Sequence, residues 1–338
     1  MLAATLAGCA AFTPVQHPAV ALPHIHPFGA TRLAFSPDGT RLASGGHQGE
    51  VRLWSVPSGD AITTLRGHHA PIRGLAWLDD AALVSGALDG KLVAWDPRSG
   101  EANEVVDSGA PITALAVLDK SPPAPLLQRG ETPILVTGHA DGYIRVYTHV
   151  GIAADGRPYS GLEQTAQRRF GSTVLSLAAR PEGTGLAASF EDGRVLLLDP
   201  SLHSLGELPQ TGRRALELRF SPDGRHLVGS AWFKLMVWDL ASGELEIRGT
   251  EHHGAVISVD FSPDGRHLAS IGRHTDARVR LTEFATGQVE RRLAPHALCG
   301  YAVRFSPNGR YLATGSEDES VRLYDLSAPY RPTITPPH

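Results

Sequence analysis

A short string of residues recurs along the chain at a nearly constant interval, and this repeat constrains the fold more than any other feature. Three copies read Phe-Ser-Pro-Asp-Gly, one reads Phe-Ser-Pro-Asn-Gly, and three more are degenerate. The seven copies start at Phe35, Trp77, Val117, Ala179, Phe220, Phe261 and Phe305. Five of the six intervals between successive starts are about 42 residues long, and self-similarity at such a period marks a repeat architecture.

Each copy reads as four short strands separated by turns. In the first copy, Ser36–Gly39 supplies the turn chemistry: Pro presets φ, Asp bonds the local backbone, and Gly supplies positive φ. The flanking segments alternate with the two-residue period of strands. These segments are Thr31–Ser36, Leu42–Gly46, Val51–Trp54 and Ile62–Leu65. Four strands per unit match one blade of a β-propeller. We therefore predict an all-β, seven-bladed β-propeller of four-stranded antiparallel blades.

Composition narrows the classes of function. The 338 residues carry a formal net charge of -4, so the basic excess typical of nucleic-acid binding is missing. No run of eighteen apolar residues is present, and we predict no transmembrane helix. Cys9 and Cys299 are too few for a disulfide framework or a cysteine-rich zinc site. We expect no nucleic-acid partner and no cofactor.

Single residues and dipeptides at equivalent positions of the repeats point to a known family. They are Trp54, Trp95-Asp96, Trp238-Asp239 and Tyr324-Asp325 at the ends of repeats, and Gly67-His68 at the start of one. With these motifs the chain resembles the WD-repeat family over about residues 18–326. The resemblance implies a hydrogen-bonded tetrad in each blade, made of a His, a Ser or Thr, an Asp and a Trp.

The tetrad is retained unevenly from blade to blade. Blade 2 has all four members, and blade 7 has Tyr in place of Trp. The residues are His68, Ser85, Asp89 and Trp95 in blade 2, and His296, Thr314, Asp318 and Tyr324 in blade 7. Blade 1 has Gln48 where Asp is expected, and blade 6 has Thr282 in the Trp position. Blade 3 keeps Thr137 and Asp141, while blades 4 and 5 have largely lost the tetrad.

The family also closes its ring by lending an N-terminal strand to the last blade. Ala19–His24 precedes His26 as Ala61–Arg66 precedes His68 one repeat later. We therefore expect Ala19–His24 to form the outer strand of blade 7. The chain then divides into an N-terminal segment 1–17, a propeller 18–328 and a Pro-rich tail 329–338.

Two classes of function remain open. The first is a monomeric, non-enzymatic scaffold for protein–protein interaction, which the resemblance favours. The alternative is a propeller enzyme, a hydrolase or a quinone-type dehydrogenase, with substrate in the central channel. A polar, metal-competent channel would favour the enzyme, whereas the inner strands supply a predominantly aliphatic set. That set is Leu33, Leu75, Leu115, Leu177, Leu218, Val259 and Val303.

The recurring histidines occupy one repeat position in different blades, so we predict no metal or catalytic site.

A partner would meet the loops on one face of the ring. Two large aromatic residues, Trp232 and Phe233, occupy a blade 5 hairpin where turn residues are usual, and Trp and Arg are enriched at binding hot spots. The alternative is that both rings fold back onto a neighbouring blade. The predicted partner-binding residues are His69, Arg213, Arg214, Trp232, Phe233, His253, Arg273 and His274. On the opposite face, the long third repeat predicts two protruding loops, Asp119–Thr132 and Thr148–Leu162.

The N-terminus carries a second resemblance. Leu6-Ala7-Gly8-Cys9 is similar to the lipobox of bacterial lipoproteins, in which the cysteine is lipidated after cleavage of a signal. The sequence departs from that pattern, because only eight residues precede Cys9 and none of them is basic. The motif predicts a lipid anchor on Cys9, which would place the propeller on the periplasmic side of a bacterial envelope. The alternative is an ordinary N-terminus on a cytoplasmic protein.

Overall fold

Seven four-stranded antiparallel sheets make up the fold. The computed structural model describes residues 15–22, 25–118, 133–151, 160–273 and 276–328. Within these ranges the only helical turn is a 3-10 turn at Pro181–Gly183. The predicted all-β, seven-bladed propeller is confirmed. Across the same described residues, no helix combines the length and the hydrophobicity that membrane crossing requires.

The strands follow the chain blade by blade, and the first strand of each blade packs against the first strands of its neighbours around the axis. Blades 1 to 3 comprise β2 (Ala30–Phe35), β3 (Arg41–Gly46), β4 (Val51–Ser55) and β5 (Ala61–Leu65); β6 (Ile72–Asp79), β7 (Ala82–Ala87), β8 (Lys91–Trp95) and β9 (Ala102–Asp107); and β10 (Ile112–Leu118), β11 (Ile134–His139), β12 (Tyr143–Gly151) and β13 (Ser160–Arg169). Blades 4 and 5 comprise β14 (Val174–Ala179), β15 (Leu186–Phe190), β16 (Val195–Leu198) and β17 (Ser204–Glu207); and β18 (Leu218–Phe220), β19 (His226–Ser230), β20 (Lys234–Asp239) and β21 (Leu245–Gly249). Blades 6 and 7 comprise β22 (Val256–Phe261), β23 (His267–Gly272), β24 (Val279–Glu283) and β25 (Val289–Arg292); and β26 (Gly300–Phe305), β27 (Tyr311–Ser316), β28 (Val321–Asp325) and the N-terminal β1 (Val20–Leu22).

The repeated string forms the turn between the first and second strands. In blade 1 the Ser36 hydroxyl donates to an Asp38 carboxylate oxygen at 2.6 Å, and the Gly39 amide donates to the Ser36 carbonyl at 2.9 Å. Gly39 has φ +71, a conformation that costs energy for any residue with a Cβ. The same Ser–Asp bond recurs in blade 5 at 2.5 Å, from Ser221 to Asp223. The sequence repeat is thus a repeated turn.

The hydrophobic core consists of seven separate clusters, one at each interface between neighbouring blades. The cluster between blades 1 and 2, for example, joins Leu53 and Leu65 to Ile72 and Trp95. All four side chains are almost completely buried. Because each blade has an apolar surface on both faces, a blade is stable only between two neighbours, and the ring supplies both.

The N-terminal strand closes the ring. β1 pairs antiparallel with β28, with Ala21 opposite Arg322. The strand is shorter than the predicted Ala19–His24, and His24 lies outside the described residues. The contact also extends further back than predicted. The Gln16 amide donates to the Arg292 carbonyl at 2.9 Å and its side chain donates to the Asp325 carbonyl at 2.9 Å, so residue 16 ties blade 6 to blade 7.

The prediction for the second long loop of blade 3 is partly wrong. Residues predicted as the connection Thr148–Leu162 instead extend β12 to Gly151 and begin β13 at Ser160, giving the longest hairpin among the described strands. Because residues with strand propensity continue beyond the boundary predicted from the repeat, the two strands continue to pair there. The other predicted loop, Asp119–Thr132, lies outside the described residues.

Candidate functional site

One face of the ring carries exposed apolar side chains in its loops. We call it the top face; it consists of the loops that precede each first strand and of the hairpins between second and third strands. Among the described residues, the large hydrophobic side chains that are exposed fall into two groups of four. The outer strands hold Ile62, Val105, Leu205 and Ile247, and the top face holds Phe28, Trp232, Phe233 and Leu298. In the part of the chain that the structure describes, the exposed large apolar side chains of loops therefore lie on the top face.

The two aromatic residues of blade 5 are held in place while their side chains are half exposed. Trp232 and Phe233 are each 46% exposed, with ring centroids 6.0 Å apart. Their backbone is docked onto the loop before β22: the Phe233 amide donates to the Gly254 carbonyl at 3.1 Å, and the Val256 amide donates to the Ala231 carbonyl at 3.0 Å. The rings do not fold back into a neighbouring core, and the hairpin presents them on a fixed backbone.

Phe233 also has an unusual backbone conformation. Its φ is +59, in the left-handed region that a side chain with a Cβ adopts at a cost of about 1 kcal/mol or more. Phe28, in the loop before β2, has φ +64 and is 64% exposed. Phe28 and Leu298 could not be predicted from the sequence, because a single apolar residue in a loop forms no pattern.

The charged residues predicted beside Trp232 divide into two kinds. Arg213 is exposed, its Nη1 donates to the Trp232 carbonyl at 3.4 Å, and no described carboxylate lies within ion-pair distance of it. Arg214 is paired with Glu191 of the blade 4 hairpin. The exposed His253 directly precedes Gly254, to which Phe233 is bonded. We refer to Arg213, Trp232, Phe233 and His253 as the blade 5 patch.

The remaining predicted partner-binding residues are not part of this patch. His69 is exposed but belongs to blade 2, three blades away around the ring. Arg273 follows β23 and lies over the ring of Tyr301, with the guanidinium carbon 5.3 Å from the ring centroid. His274 lies outside the described residues, as does Cys9, whose lipidation stays a prediction.

The tetrad residues of blade 2 form one hydrogen-bonded chain beneath the top face. His68 Nε2 is 2.7 Å from the Ser85 hydroxyl, Trp95 Nε1 donates to that hydroxyl at 2.8 Å, and His68 Nδ1 is 3.1 Å from Asp89 Oδ1. Asp89 also accepts from the His69 amide at 2.9 Å. These hydrogen bonds therefore fix the loop before β6 to the hairpin between β7 and β8.

Blade 7 repeats the arrangement with one change. His296 bonds Thr314 at 2.8 Å and Asp318 at 3.1 Å, while the Tyr324 hydroxyl donates to the Ala294 carbonyl at 3.1 Å. The longer phenol thus reaches the backbone of the preceding loop. In blade 5, where the other members are missing, Trp238 Nε1 likewise donates to the Pro209 carbonyl at 2.9 Å.

In blade 1 an acid other than the expected one completes the tetrad. Gln48 occupies the expected Asp position, but Glu50, two residues later, bonds His26 Nδ1 at 2.7 Å. His26 Nε2 is 2.7 Å from Ser44, to which Trp54 donates at 2.8 Å. The longer glutamate side chain reaches back over the turn, so blade 1 is complete although its motif is not.

In blade 3 the histidine comes from a different strand. His139, at the end of β11, bonds Thr137 at 2.7 Å and the Ala110 carbonyl at 3.1 Å. Burial lowers the pKa of His139 to about 4. Asp141 pairs with Arg145 instead of with a histidine. A histidine two residues along the strand thus replaces the missing one before the first strand, which the aligned motif could not indicate.

The histidines of these tetrads are neutral at pH 7. Burial lowers the pKa of His68, outweighing the opposite effect of Asp89. Burial has the same effect on His26, on His296 and on His252, the blade 6 histidine, whose Nε2 lies 2.9 Å from the Ser270 hydroxyl. Burial alone would raise the pKa of Asp89, but backbone amides and His68 hold it below its ordinary value. A neutral imidazole between a hydroxyl and a carboxylate joins polar groups without burying a net positive charge.

The blade 2 tetrad gives a direct test of its energetic weight. His68→Ala leaves Ser85 and Asp89 short of a buried partner and should lower the free energy of unfolding by about 1–3 kcal/mol. His69→Ala is the matched control: its side chain is exposed and its amide bond to Asp89 is kept, so the loss should stay within about 0.5 kcal/mol. Chemical unfolding of both variants measures this. Equal losses would show that His68 is not the tetrad member.

The central channel has charged side chains in addition to part of its predicted aliphatic lining. Leu33, Leu75, Leu115 and Leu177 line the channel cavity, whereas Leu218, Val259 and Val303 pack into the cores between blades. The neighbouring positions face the axis, because side chains alternate along a strand and a bulge shifts the register at the start of most first strands. These positions place charged side chains in the channel, namely Arg32, Glu217, Arg219, Asp260 and Arg304.

The channel is polar but does not combine ligands for a metal. Among the described residues, no group of three or more His, Cys, Asp or Glu side chains is arranged to hold a metal ion. Glu217 accepts from Arg304 Nη2 at 2.6 Å and from the Val259 amide at 3.0 Å, and Asp260 accepts from the Phe305 amide at 2.8 Å. Both channel carboxylates therefore already accept hydrogen bonds from arginine side chains and backbone amides.

Comparison with known proteins agrees with the geometry. The family model described as "WD domain, G-beta repeat" (WD40) matches five segments, residues 23–55, 59–96, 210–239, 245–281 and 287–325, which together cover more than half of the chain. The unmatched stretches are blades 3 and 4, the two that carry the longest insertion and the weakest motifs.

Several curated proteins are similar over most of the chain. The chain is 25% identical to Transducin beta-like protein 3 of Rattus norvegicus, over 73% of this chain and 31% of that protein. It is 26% identical to "Cell division cycle 20.5, cofactor of APC complex" of Arabidopsis thaliana, over 63% of this chain and 46% of that protein. It is 23% identical to Denticleless protein homolog A of Xenopus laevis, over 62% of this chain and 34% of that protein. The chain spans less than half the length of these relatives. By its repeats, its seven blades and the family match, the chain belongs to the WD40 repeat family.

Proposed function

We propose that this protein is a non-enzymatic scaffold that binds a protein partner on its top face, with the blade 5 patch as the main contact. The observation that carries the proposal is the placement of exposed apolar side chains. Outside the outer strands, the described large hydrophobic residues that are exposed all lie in top-face loops. Exposing them to water is unfavourable, and exposed apolar patches rimmed by polar groups are typical of interaction sites.

The chemistry of the blade 5 patch indicates what kind of surface the partner presents. Trp232 and Phe233 offer two rigid rings to an apolar side chain, and Arg213 beside them lacks a described carboxylate partner. Aromatic and arginine residues carry much of the binding energy at interfaces. The partner surface should therefore present an apolar residue flanked by carboxylates. The relative named as a cofactor of the APC complex also supports a role within a protein assembly.

The competing proposal of a channel enzyme lacks a reactive group. Glu217 and Asp260 are the acidic side chains in the channel, and arginines and backbone amides occupy both. Burial alone would raise the pKa of Glu217, but the positive charges of Arg304, Arg219 and Arg32 hold it down at about 2, so it is a poor general base. The charged lining is better explained by binding than by catalysis.

Loss of two patch side chains should abolish partner capture. Because hot-spot residues each contribute about 2 kcal/mol or more, the pair Trp232→Ala and Arg213→Ala should weaken binding by about a hundredfold or more. Quantitative capture of the native partner by immobilised wild type and variant measures this. Both side chains are exposed, so the unfolding midpoint should hardly change.

The matched control is Leu205→Ala, which removes an exposed apolar side chain from the outer strand of blade 4. It should leave capture unchanged. If the double variant captures its partner like the wild type, or if the control loses capture equally, the blade 5 patch is not the contact.

A further inference from the structure

We propose that the central channel binds a small organic anion, whose carboxylate or phosphate group pairs with Arg32 and Arg73 and whose apolar part lies against the leucines of blades 3 to 5. The channel contains a cavity of about 360 Å³. This volume is within the range of small-molecule sites. The proposal is independent of the proposed function, since the cavity lies on the axis and the blade 5 patch lies in the top-face loops.

Charges in the channel are unbalanced. Arg219 and Arg304 are held by the two channel acids: Arg304 pairs with Glu217 at 2.6 Å, and Arg219 lies 3.2 Å from Asp260 and 3.3 Å from Glu217. Arg32 also lines the channel. With Arg73, the lining has four guanidinium groups against two carboxylates, in a chain whose formal net charge is -4.

Two of these arginines lack acidic partners. Arg32 donates to the carbonyls of Arg73 and Thr31, both at 2.8 Å, but no described carboxylate lies within ion-pair distance of its guanidinium. The same is true of Arg73, whose side chain makes no hydrogen bond to the described residues. Burial and the neighbouring guanidinium groups lower the pKa of Arg32 to about 10 despite the presence of Glu217. An anion between the two side chains would relieve this crowding of positive charge.

The geometry of Arg32 prepares it for an anion. Its Nε and Nη1 are fixed by backbone carbonyls, which orients the planar group and leaves Nη2 to the cavity. Fixed guanidinium groups bind carboxylate and phosphate oxygens better than mobile ones, because less conformational entropy is lost on binding. Arg73 stands one blade further around the same wall of the cavity.

The opposite part of the wall is apolar. Leu115, Leu175 and Leu216 line the cavity and are only partly buried by protein, so an apolar group of a ligand would cover them. A hydrated inorganic ion alone would leave this surface in contact with water. The arrangement therefore favours an amphiphilic anion over inorganic phosphate or chloride.

Titration calorimetry of the full chain tests the proposal with hexanoate and hexyl phosphate as probes. At least one of them should bind saturably, and the two arms distinguish carboxylate from phosphate recognition. Acetate and inorganic phosphate lack the apolar part and should bind about tenfold more weakly or worse. Hexanol lacks the charge and should give no saturable binding.

Variants assign the site. Arg73→Met, whose wild-type side chain makes no described hydrogen bond, should fold normally and weaken probe binding by about tenfold or more. Arg32→Met should do the same, and Arg66→Met, at an exposed arginine outside the channel, should bind like the wild type. The proposal is overturned if neither probe binds saturably at millimolar concentration, or if Arg73→Met binds as tightly as the wild type. Partner capture by Arg73→Met reports on the blade 5 patch separately.

Discussion

Removing residues 1–25 should lower the unfolding midpoint of the propeller by about 5–10 °C. The deletion takes away β1, which covers the edge of β28, and it removes Val20, Leu22 and the buried Ile25 from the core between blades 7 and 1. At about 1–2 kcal/mol for each of these side chains, the loss of free energy is about 4 kcal/mol. The exposed edge of β28 should also promote association of chains, since an unpaired strand offers a template for pairing.

The matched deletion removes only residues 1–14. It keeps Gln16, which bonds blades 6 and 7, and all of β1. Its thermal unfolding curve should coincide with that of the full chain. Coincident curves for both deletions would mean that the N-terminal strand does not stabilise the ring.

Acidification from pH 7 to pH 5 should destabilise the fold before its carboxylates are protonated. The pKa of His139 falls to about 4, and the pKa values of four tetrad histidines are also lowered by burial. The unfolded chain takes up protons on these imidazoles near pH 6.5, whereas the folded chain does not. The unfolded state therefore binds more protons below pH 6.5, and stability falls as the pH falls. The raised pKa of Asp260 acts in the opposite direction, but it concerns one group.

A single substitution isolates one of these histidines. For His139 the window runs from about pH 6.5 down to about 4, and its full contribution is on the order of 3 kcal/mol. His139→Gln retains polar atoms for Thr137 and the Ala110 carbonyl but does not titrate. Urea unfolding at several pH values gives the free energy of unfolding as a function of pH. The slope of this dependence should be shallower for the variant than for the wild type, by the equivalent of up to one proton. An unchanged slope, or a wild type that gains stability on acidification, would contradict the assignment.

The fold could be predicted because the repeat encodes turns and register. A Ser-Pro-Asp-Gly turn at a period of about 42 residues specifies where each hairpin reverses, and Gly39 shows the positive φ that this turn requires. Blade count and strand order follow from that spacing, and ring closure was expected from the resemblance to the WD-repeat family. The boundaries of β12 and β13 were wrong because local strand pairing, which continues beyond the repeat, decides where a hairpin ends.

Compensating residues could not be predicted from aligned positions. Glu50 acts in place of the expected acid at position 48, and His139 acts in place of a histidine before the first strand. Both solutions depend on side-chain reach in three dimensions, which an aligned motif does not contain. A buried histidine needs a partner, and the sequence alone does not specify which nearby group supplies it.

The charged side chains of the channel lining were not predicted, for a related reason. A shift of one residue on a strand exchanges its two faces, and the bulge near the start of most first strands introduces such a shift. Arg32 thereby lines the channel beside Leu33, and the alternation of the inner strand had predicted only Leu33 there. The blade 5 aromatics were recognisable because two large rings replace turn residues, whereas Phe28 and Leu298 stand alone in their loops.

Photocrosslinking tests the central claim, that the top face is the protein-binding surface, most directly. p-Benzoylphenylalanine placed at position 233 in the full chain, and at position 205 as the control, keeps a large apolar side chain at two exposed sites, one on the top face and one on an outer strand. After irradiation in native cells, we expect one covalent adduct of defined mass from position 233 and none from position 205. An adduct from position 205 alone, or none from either position, would contradict it.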